Sequence, residues 1–311
     1  MAQAPVSVRT EQVHSRAKGL DVKSPETVLR LLADAQIEAA ASAKQAVEAI
    51  IDGAERAATC LRNGGNLAYC GAGSSGLMAL ADALELPGTY GIPRDRIKII
   101  IAGGNTALSD LAGAPEDDTE QAATDVARNK IGKGDCLIAV SASGSTPYAV
   151  AAMKAARAAG AETIAIANNA GAPMFAHADV AVLLATPPEM IAGSTRMGAG
   201  TAQKIALNML STLTAIQLGH VHDGYMVNLH ADNMKLKGRA ARIVSSIAKI
   251  DETEAAKRLE ESGGSVKAAV LIAKGVARAD AAKLLDSSNQ NLRRALSSLD
   301  GSNGSRATGS I

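Results

Sequence analysis

Ser141-Ala142-Ser143-Gly144-Ser145-Thr146 decides how this chain is read. The stretch follows an apolar run, Cys136-Leu137-Ile138-Ala139-Val140, and precedes Pro147 and an Ala-rich segment that continues through Ala159. A short apolar run bounded by turn residues predicts a buried strand. The Ala-rich segment predicts a helix, with Pro147 in the first turn, where its missing N–H is no loss. A strand therefore feeds a hydroxyl-rich turn that opens a helix. Free backbone N–H groups and the positive end of the helix dipole face such a turn, which suits an anion. Serine N-capping alone needs one hydroxyl, whereas four stand in these six residues, and that excess favours a phosphate site.

Working outward, the same plan occurs earlier. Leu67–Cys70 predicts a strand, Gly71-Ala72-Gly73-Ser74-Ser75-Gly76 a turn, and Leu77–Leu84 the start of a helix. Two such turns at neighbouring strand ends are placed to face one ligand. The literal G-x-G-x-x-G pattern of the first turn invites a dinucleotide reading. That reading needs an acid at the end of the next strand, and Ile97–Ala102 ends instead in Gly103-Gly104-Asn105. A P-loop is excluded because no Lys-Ser/Thr pair follows.

Further strands are expected at Thr163–Ala167 and Val180–Leu184, and helices at Thr27–Gln36, Ser42–Arg62, 117–128, Ala199–Leu218 and Met226–Arg242. Strands alternating with helices predict an α/β fold: a three-layer α/β/α sandwich around a mostly parallel sheet. Residues Thr253–Leu299 add a small C-terminal helical appendix, so the expected division is 1–245, 246–300 and a disordered Gly/Ser-rich tail at 301–311. The chain's 311 residues, 47% hydrophobic but 2% aromatic, require a core of Ala, Leu, Ile, Val and Met. A net charge of +1 gives no basic field for nucleic acid or membrane. No segment reads as a signal peptide or a membrane span. Cys60, Cys70 and Cys136 lack metal spacing and read as buried reduced thiols of a cytoplasmic protein. His220-Val221-His222 has no third ligand nearby and reads as a surface turn. His230, Asn233 and Lys235 fall at helical spacing.

Two acidic positions carry potential chemistry. Glu85 lies between Leu84 and Leu86, where apolar neighbours raise a carboxyl's pKa toward that of a general acid; the alternative is a solvated helix-end glutamate. Glu116-Asp117-Asp118 has a plain reading as a helix N-terminus, where acids suit the dipole.

The second turn resembles the phosphate loop of sugar isomerase (SIS) domains. The chain as a whole resembles the N-acetylmuramic acid 6-phosphate etherases over residues 10–245. The resemblance is carried by Thr10-Glu11 with Leu20-Asp21, Gly71–Gly76, Asp82-Ala83-x-Glu85-x-Pro87-x-Thr89, Ala102-Gly103-Gly104 and Glu116-Asp117. It continues through Ser141–Tyr148, Gly193–Arg196, Ala199–Lys204, Asn208–Thr212 and Asn233-x-Lys235-Leu236. Leu77 and Ser145 stand where the family has arginine, Gly88 where it has proline, and Gly113 where it has glutamate.

The resemblance implies release of D-lactate from a phosphorylated amino sugar, as in the recycling of cell-wall sugars, by a homodimer needing no cofactor or metal. It implies Glu85 as the acid toward the ether oxygen and Glu116 as the base. It implies Ser74, Ser75, Ser141, Ser143, Ser145 and Thr146 as holders of phosphate and sugar oxygens, with Glu189, Ser194, Thr195 and Arg196 on the sugar side. Two alternatives share the resemblance: an aldose–ketose phosphosugar isomerase, and a non-catalytic phosphosugar sensor like the glucokinase regulatory protein.

Overall fold

A computed structural model describes residues 9–229 and 234–306; His230 and Asn233, read above as part of a helical face, lie outside the described residues. Five parallel strands form the sheet: β1 (Leu67–Gly71), β2 (Ile97–Ile101), β3 (Cys136–Ser141), β4 (Glu162–Ala167) and β5 (Val180–Leu183). Their spatial order is β2-β1-β3-β4-β5. The chain leaves β1 for one neighbour, β2, and then returns to β1's other side as β3. That reversal creates a crevice outside the carboxyl ends of β1 and β3, the place where open parallel sheets bind ligands.

The central strands are apolar on both faces because helices cover both. On one face Ala68, Cys70, Leu137, Ala139 and Ala165 pack with Ala122 and Val126 of α4 (Thr119–Arg128) and Ala152, Met153 and Ala156 of α5 (Pro147–Ala158). On the other lie α2 (Val47–Arg62) and α6 (Gly198–Gln217). A Cβ at Gly53 of α2 would meet Leu210 of α6 at 3.3 Å and Ile164 of β4 at 3.5 Å. The aromatic-poor composition thus yields closely seated helices, with alanine at most contact points. The three-layer sandwich with a parallel sheet agrees with the expected fold class. Cys60, Cys70 and Cys136 are free and buried; burial pushes the Cys60 thiol up to about 12.

Four boundaries differ from the sequence reading. The first helix, α1 (Pro25–Gln45), continues past Gln36, and the break falls at Ala46. Residues 37–41 are mostly alanine, the best helix former, and Ala39 and Ala43 are buried. The helix after β1, α3 (Gly73–Tyr90), begins four residues before Leu77, so Ser74, Ser75 and Gly76 are its first turn. Residues 221–226 form a two-stranded hairpin, β6 (Val221–His222) with β7 (Tyr225–Met226), where a surface turn and a helix were expected. Its Asp223-Gly224 turn has φ of 47° and 79°, the left-handed pair that matches strand twist.

The fourth difference is the division of the chain. One compact unit comprises the chain up to Ala83 with Asp95–Leu213; the second comprises Leu84–Arg94 and the chain from Thr214. The expected border at 245 falls inside α7 (Met234–Ala248), whose Ile243 and Val244 share a core with Leu259, Val270 and Leu285. These last come from α8 (Glu252–Glu261), α9 (Val266–Ala273) and α10 (Arg278–Ser287). The last helix, α11 (Leu292–Arg306), extends into the stretch read as a tail from Gly301. Adding a residue to an existing helix costs far less than starting one, so its weak helix formers are carried along.

Candidate active site

The two hydroxyl-rich turns follow β1 and β3, which pair in parallel with Gly71 opposite Val140. They therefore flank the crevice at the chain reversal, as the sequence pattern predicts. The first turn is built on glycine. A Cβ at Gly71 would lie 2.8 Å from the Gly76 Cα, so strand end and helix start touch backbone to backbone. Gly73 has φ 52°, and a Cβ there would lie 2.6 Å from Oε1 of Glu116. Only glycine leaves room for that carboxylate. Gly73, Ser74 and Ser75 open α3, and helical geometry leaves their N–H groups without acceptors in the helix. Among the described residues the Ser74 and Ser75 hydroxyls make no hydrogen bond.

Glu116 sits on a 3-10 turn, Ala114–Asp117. It is half-buried, and burial foremost, then the neighbouring Asp117 charge, raises its pKa above the ordinary glutamate value. The plain helix-start reading of this acidic run applies instead to Asp118, whose side chain accepts from the Gln121 N–H at 2.8 Å and caps α4.

The second turn is tied together by its own hydroxyls. Ser141 Oγ accepts from the Gly144 N–H at 3.0 Å and lies 2.8 Å from Thr146 Oγ1 and 3.4 Å from Ser143 Oγ. Ser143 Oγ accepts from the Ser145 N–H at 3.1 Å and from Ser145 Oγ at 3.0 Å. Gly144 has φ 69°, and a Cβ there would stand 2.3 Å from the Ala172 Cβ. The Gly144 and Ser145 N–H groups thus face inward to serine oxygens, which fixes this part of the loop.

The remaining predicted residues scatter by role. Glu189 is buried, and its two carboxylate oxygens accept from the Gly198 N–H at 2.9 Å and the Ala199 N–H at 2.8 Å. It caps α6 by accepting from two of the helix's first N–H groups at the dipole's positive end. Ser194, Thr195 and Arg196 form the turn that enters α6, with Ser194 and Thr195 half-buried and Arg196 exposed. Gly193 N–H donates to the Thr10 carbonyl at 3.1 Å, which ties this turn to the chain's first described residues. Glu85 lies on α3 with an exposed side chain; Leu84 beside it is 58% exposed, and Leu86 is buried. Its apolar neighbours therefore do not enclose it. At 1.5 Å per residue, helical rise carries Glu85 about 18 Å along α3 from Gly73.

Three polar groups support the site without having been read as part of it. Asn169 bridges Thr10 and the second turn, accepting from the Thr10 N–H at 3.3 Å and donating to Thr10 Oγ1 at 3.1 Å and the Ala142 carbonyl at 3.0 Å. Asp82 is buried and accepts from Tyr69 Oη at 2.9 Å, Asn208 Nδ2 at 2.8 Å and Ser211 Oγ at 3.0 Å, and burial still raises its pKa. Asp125 is likewise buried and takes Tyr148 Oη at 2.5 Å and Gln121 Nε2 at 2.8 Å, anchoring α5 beneath the second turn.

Residues 33–168 match the SIS domain family. The chain is 43% identical over 289 residues to the N-acetylmuramic acid 6-phosphate etherase of Deinococcus radiodurans, covering 93% of this chain and 95% of that one. It is 43% identical over 252 residues to the enzyme of the same name from Symbiobacterium thermophilum, covering 81% and 84%. With that of Geobacillus thermodenitrificans it shares 38% over 263 residues, covering 85% and 89%.

Proposed function

The chain belongs to the N-acetylmuramic acid 6-phosphate etherase family, and on that premise we propose that it cleaves the lactyl ether of N-acetylmuramic acid 6-phosphate, or of a close phosphosugar. The products are N-acetylglucosamine 6-phosphate and D-lactate. The sugar opens to its aldehyde, whose carbonyl acidifies the adjacent C–H. Glu116 removes that proton. The electron pair forms a carbon–carbon double bond as the ether C–O bond breaks, and Glu85 delivers a proton to the departing oxygen. Water then adds across the double bond, restoring the hydroxyl and the C–H.

The observation that carries this reading is Glu116 lodged against Gly73 at the crevice between β1 and β3. A base for a weak carbon acid works best when its pKa lies nearer the operating pH, and burial pushes Glu116 in that direction. The hydroxyls of Ser141, Ser143, Ser145 and Thr146 hold the phosphate, and Ser74 and Ser75 offer free donors to the sugar. Ser194, Thr195 and Arg196 line the sugar's far side, with Glu189 holding that turn against α6.

We assign Glu85 to the neighbouring copy's site in a homodimer. The roughly 18 Å of helix between Gly73 and Glu85 exceeds the reach of a glutamate side chain, so the two carboxylates meet on one sugar when α3 of a second copy brings its Glu85. The exposed Leu84 beside Glu85 gives that helix an apolar contact to cover. Phosphosugar chemistry and three free, buried thiols support a cytoplasmic reaction, in the recycling of cell-wall sugars. Incubation with N-acetylmuramic acid 6-phosphate, read by D-lactate dehydrogenase, tests the activity directly. Lactate release with turnover is expected; binding without release transfers the protein to the sensor or isomerase alternatives.

A further inference from the structure

A cavity of about 480 Å3 opens beside the second turn, lined by Ser143, Ser145, Asn168, Asn169, Gln12 and Arg9, with small apolar residues 170–173 and 185 completing the wall. Arg9 is the only charged side chain in that lining. No carboxylate on the wall neutralises it, and among the described residues Arg9 is in no ion pair. The segment that carries it is held through Thr10. Thr10, 2% exposed, exchanges two hydrogen bonds with Asn169, and its carbonyl accepts from the Gly193 N–H at 3.1 Å. Glu11 is directed away from the cavity, with Oε2 3.1 Å from where a Gly193 Cβ would lie. Asn169 also donates to the Ala142 carbonyl, so the same amide that anchors this segment grips the turn that carries Ser143 and Ser145.

We propose that Arg9 is the cation of the phosphate site: its guanidinium pairs with the phosphate of a sugar held by Ser143 and Ser145. The proposal rests on the phosphosugar reading above and names the charge that reading needs. A phosphate dianion seated on neutral hydroxyls alone keeps its charge uncompensated, and a planar guanidinium is the side chain that pairs with it through two N–H groups. The positive end of α5 faces the same turn. Ser145 lines the same cavity at the position where the resemblance implies arginine, and Arg9, 136 residues earlier in the chain, supplies a charge that the turn itself lacks.

The test is calorimetric titration of the full chain with N-acetylglucosamine 6-phosphate and with inorganic phosphate, which requires no turnover. Arg9→Gln is expected to weaken both affinities about tenfold or more and to flatten their salt dependence. Adding Ser145→Arg to Arg9→Gln is expected to recover most of the loss, while the ligand-free melting temperature stays within about a degree of wild type for both variants. Wild-type affinity in Arg9→Gln overturns the proposal. So does a loss that accompanies a lowered ligand-free melting temperature and is not recovered by Ser145→Arg, because the segment is then structural. If wild type releases no lactate yet Arg9→Gln loses phosphosugar affinity, the etherase reading fails and the role of Arg9 stands.

Discussion

The two turns at the crevice share one plan and solve opposite problems. The turn after β3 spends its hydroxyls on itself: Ser141, Ser143, Ser145 and Thr146 form a closed set of hydrogen bonds, and inward N–H groups complete it. The turn after β1 keeps its donors free, and its glycines let a carboxylate from elsewhere come within touching distance of the backbone. One loop is shaped in advance and the other is left open. Preorganisation suits a phosphate, whose charge is fixed throughout the reaction. Open donors beside a half-buried acid suit the sugar atoms where bonds change.

The largest expected effect breaks the open side. Glu116→Gln keeps the side chain's size and removes its titration, so lactate release falls at least about 100-fold while N-acetylglucosamine 6-phosphate binding is retained. Exchange of the substrate C–H with solvent deuterium stops as well. In the wild type, kcat/KM rises with pH on a limb set by Glu116, displaced upward from the ordinary glutamate value by burial, because the base works only when ionised. The stability sign is opposite. A carboxyl whose folded pKa is raised favours folding at acid pH and loses that contribution as pH climbs through the raised value. Glu116→Gln is therefore expected to melt at or slightly above wild type at neutral pH; a lower melting temperature contradicts the burial account.

Gly73→Ala probes the same carboxylate without changing its chemistry. The new methyl group would stand 2.6 Å from Glu116 Oε1, closer than contact allows, and φ 52° strains any Cβ-bearing residue. Displacing a catalytic group by about 1 Å costs on the order of 100-fold, so kcat falls with KM little changed. Wild-type kcat in this variant dissociates Glu116 from the chemistry. The smallest effect breaks the closed side. Ser143→Ala removes the acceptor of both Ser145 bonds, each worth about 1 kcal/mol, and phosphosugar affinity weakens by about threefold to tenfold in calorimetry with kcat largely preserved. A fall in kcat at saturating substrate, with affinity intact, reverses the roles assigned to the two turns.

What the sequence made legible was local. An apolar run, a turn of small residues and an Ala-rich segment are contiguous, so both strand–turn–helix units were readable, as was their placement at neighbouring strand ends. The etherase motifs added Glu85 and Glu116. What escaped depends on contacts far apart in the chain. Nothing near Glu189 announces that Gly198 and Ala199 will direct their N–H groups at it, and nothing near Thr10 announces Asn169, 159 residues away. Of the two environments the sequence offered for Glu85, the solvated one holds: apolar sequence neighbours alternate around a helix, and Leu84 lies outside while Leu86 lies within. The hairpin at Val221–Met226 did carry a local signal, since Asp-Gly is a strong marker of a left-handed two-residue turn.

The central claim is that two glutamates share one sugar, Glu116 from one copy and Glu85 from its partner. Mixing separately inactive Glu85→Gln and Glu116→Gln proteins under conditions that exchange subunits tests it most directly. In a two-fold dimer half of the randomly mixed molecules are hybrids, and each hybrid holds one intact site and one doubly damaged site, so about a quarter of wild-type lactate release returns. Activity that stays at the level of the separate variants, with exchange verified by differently tagged chains, contradicts the account.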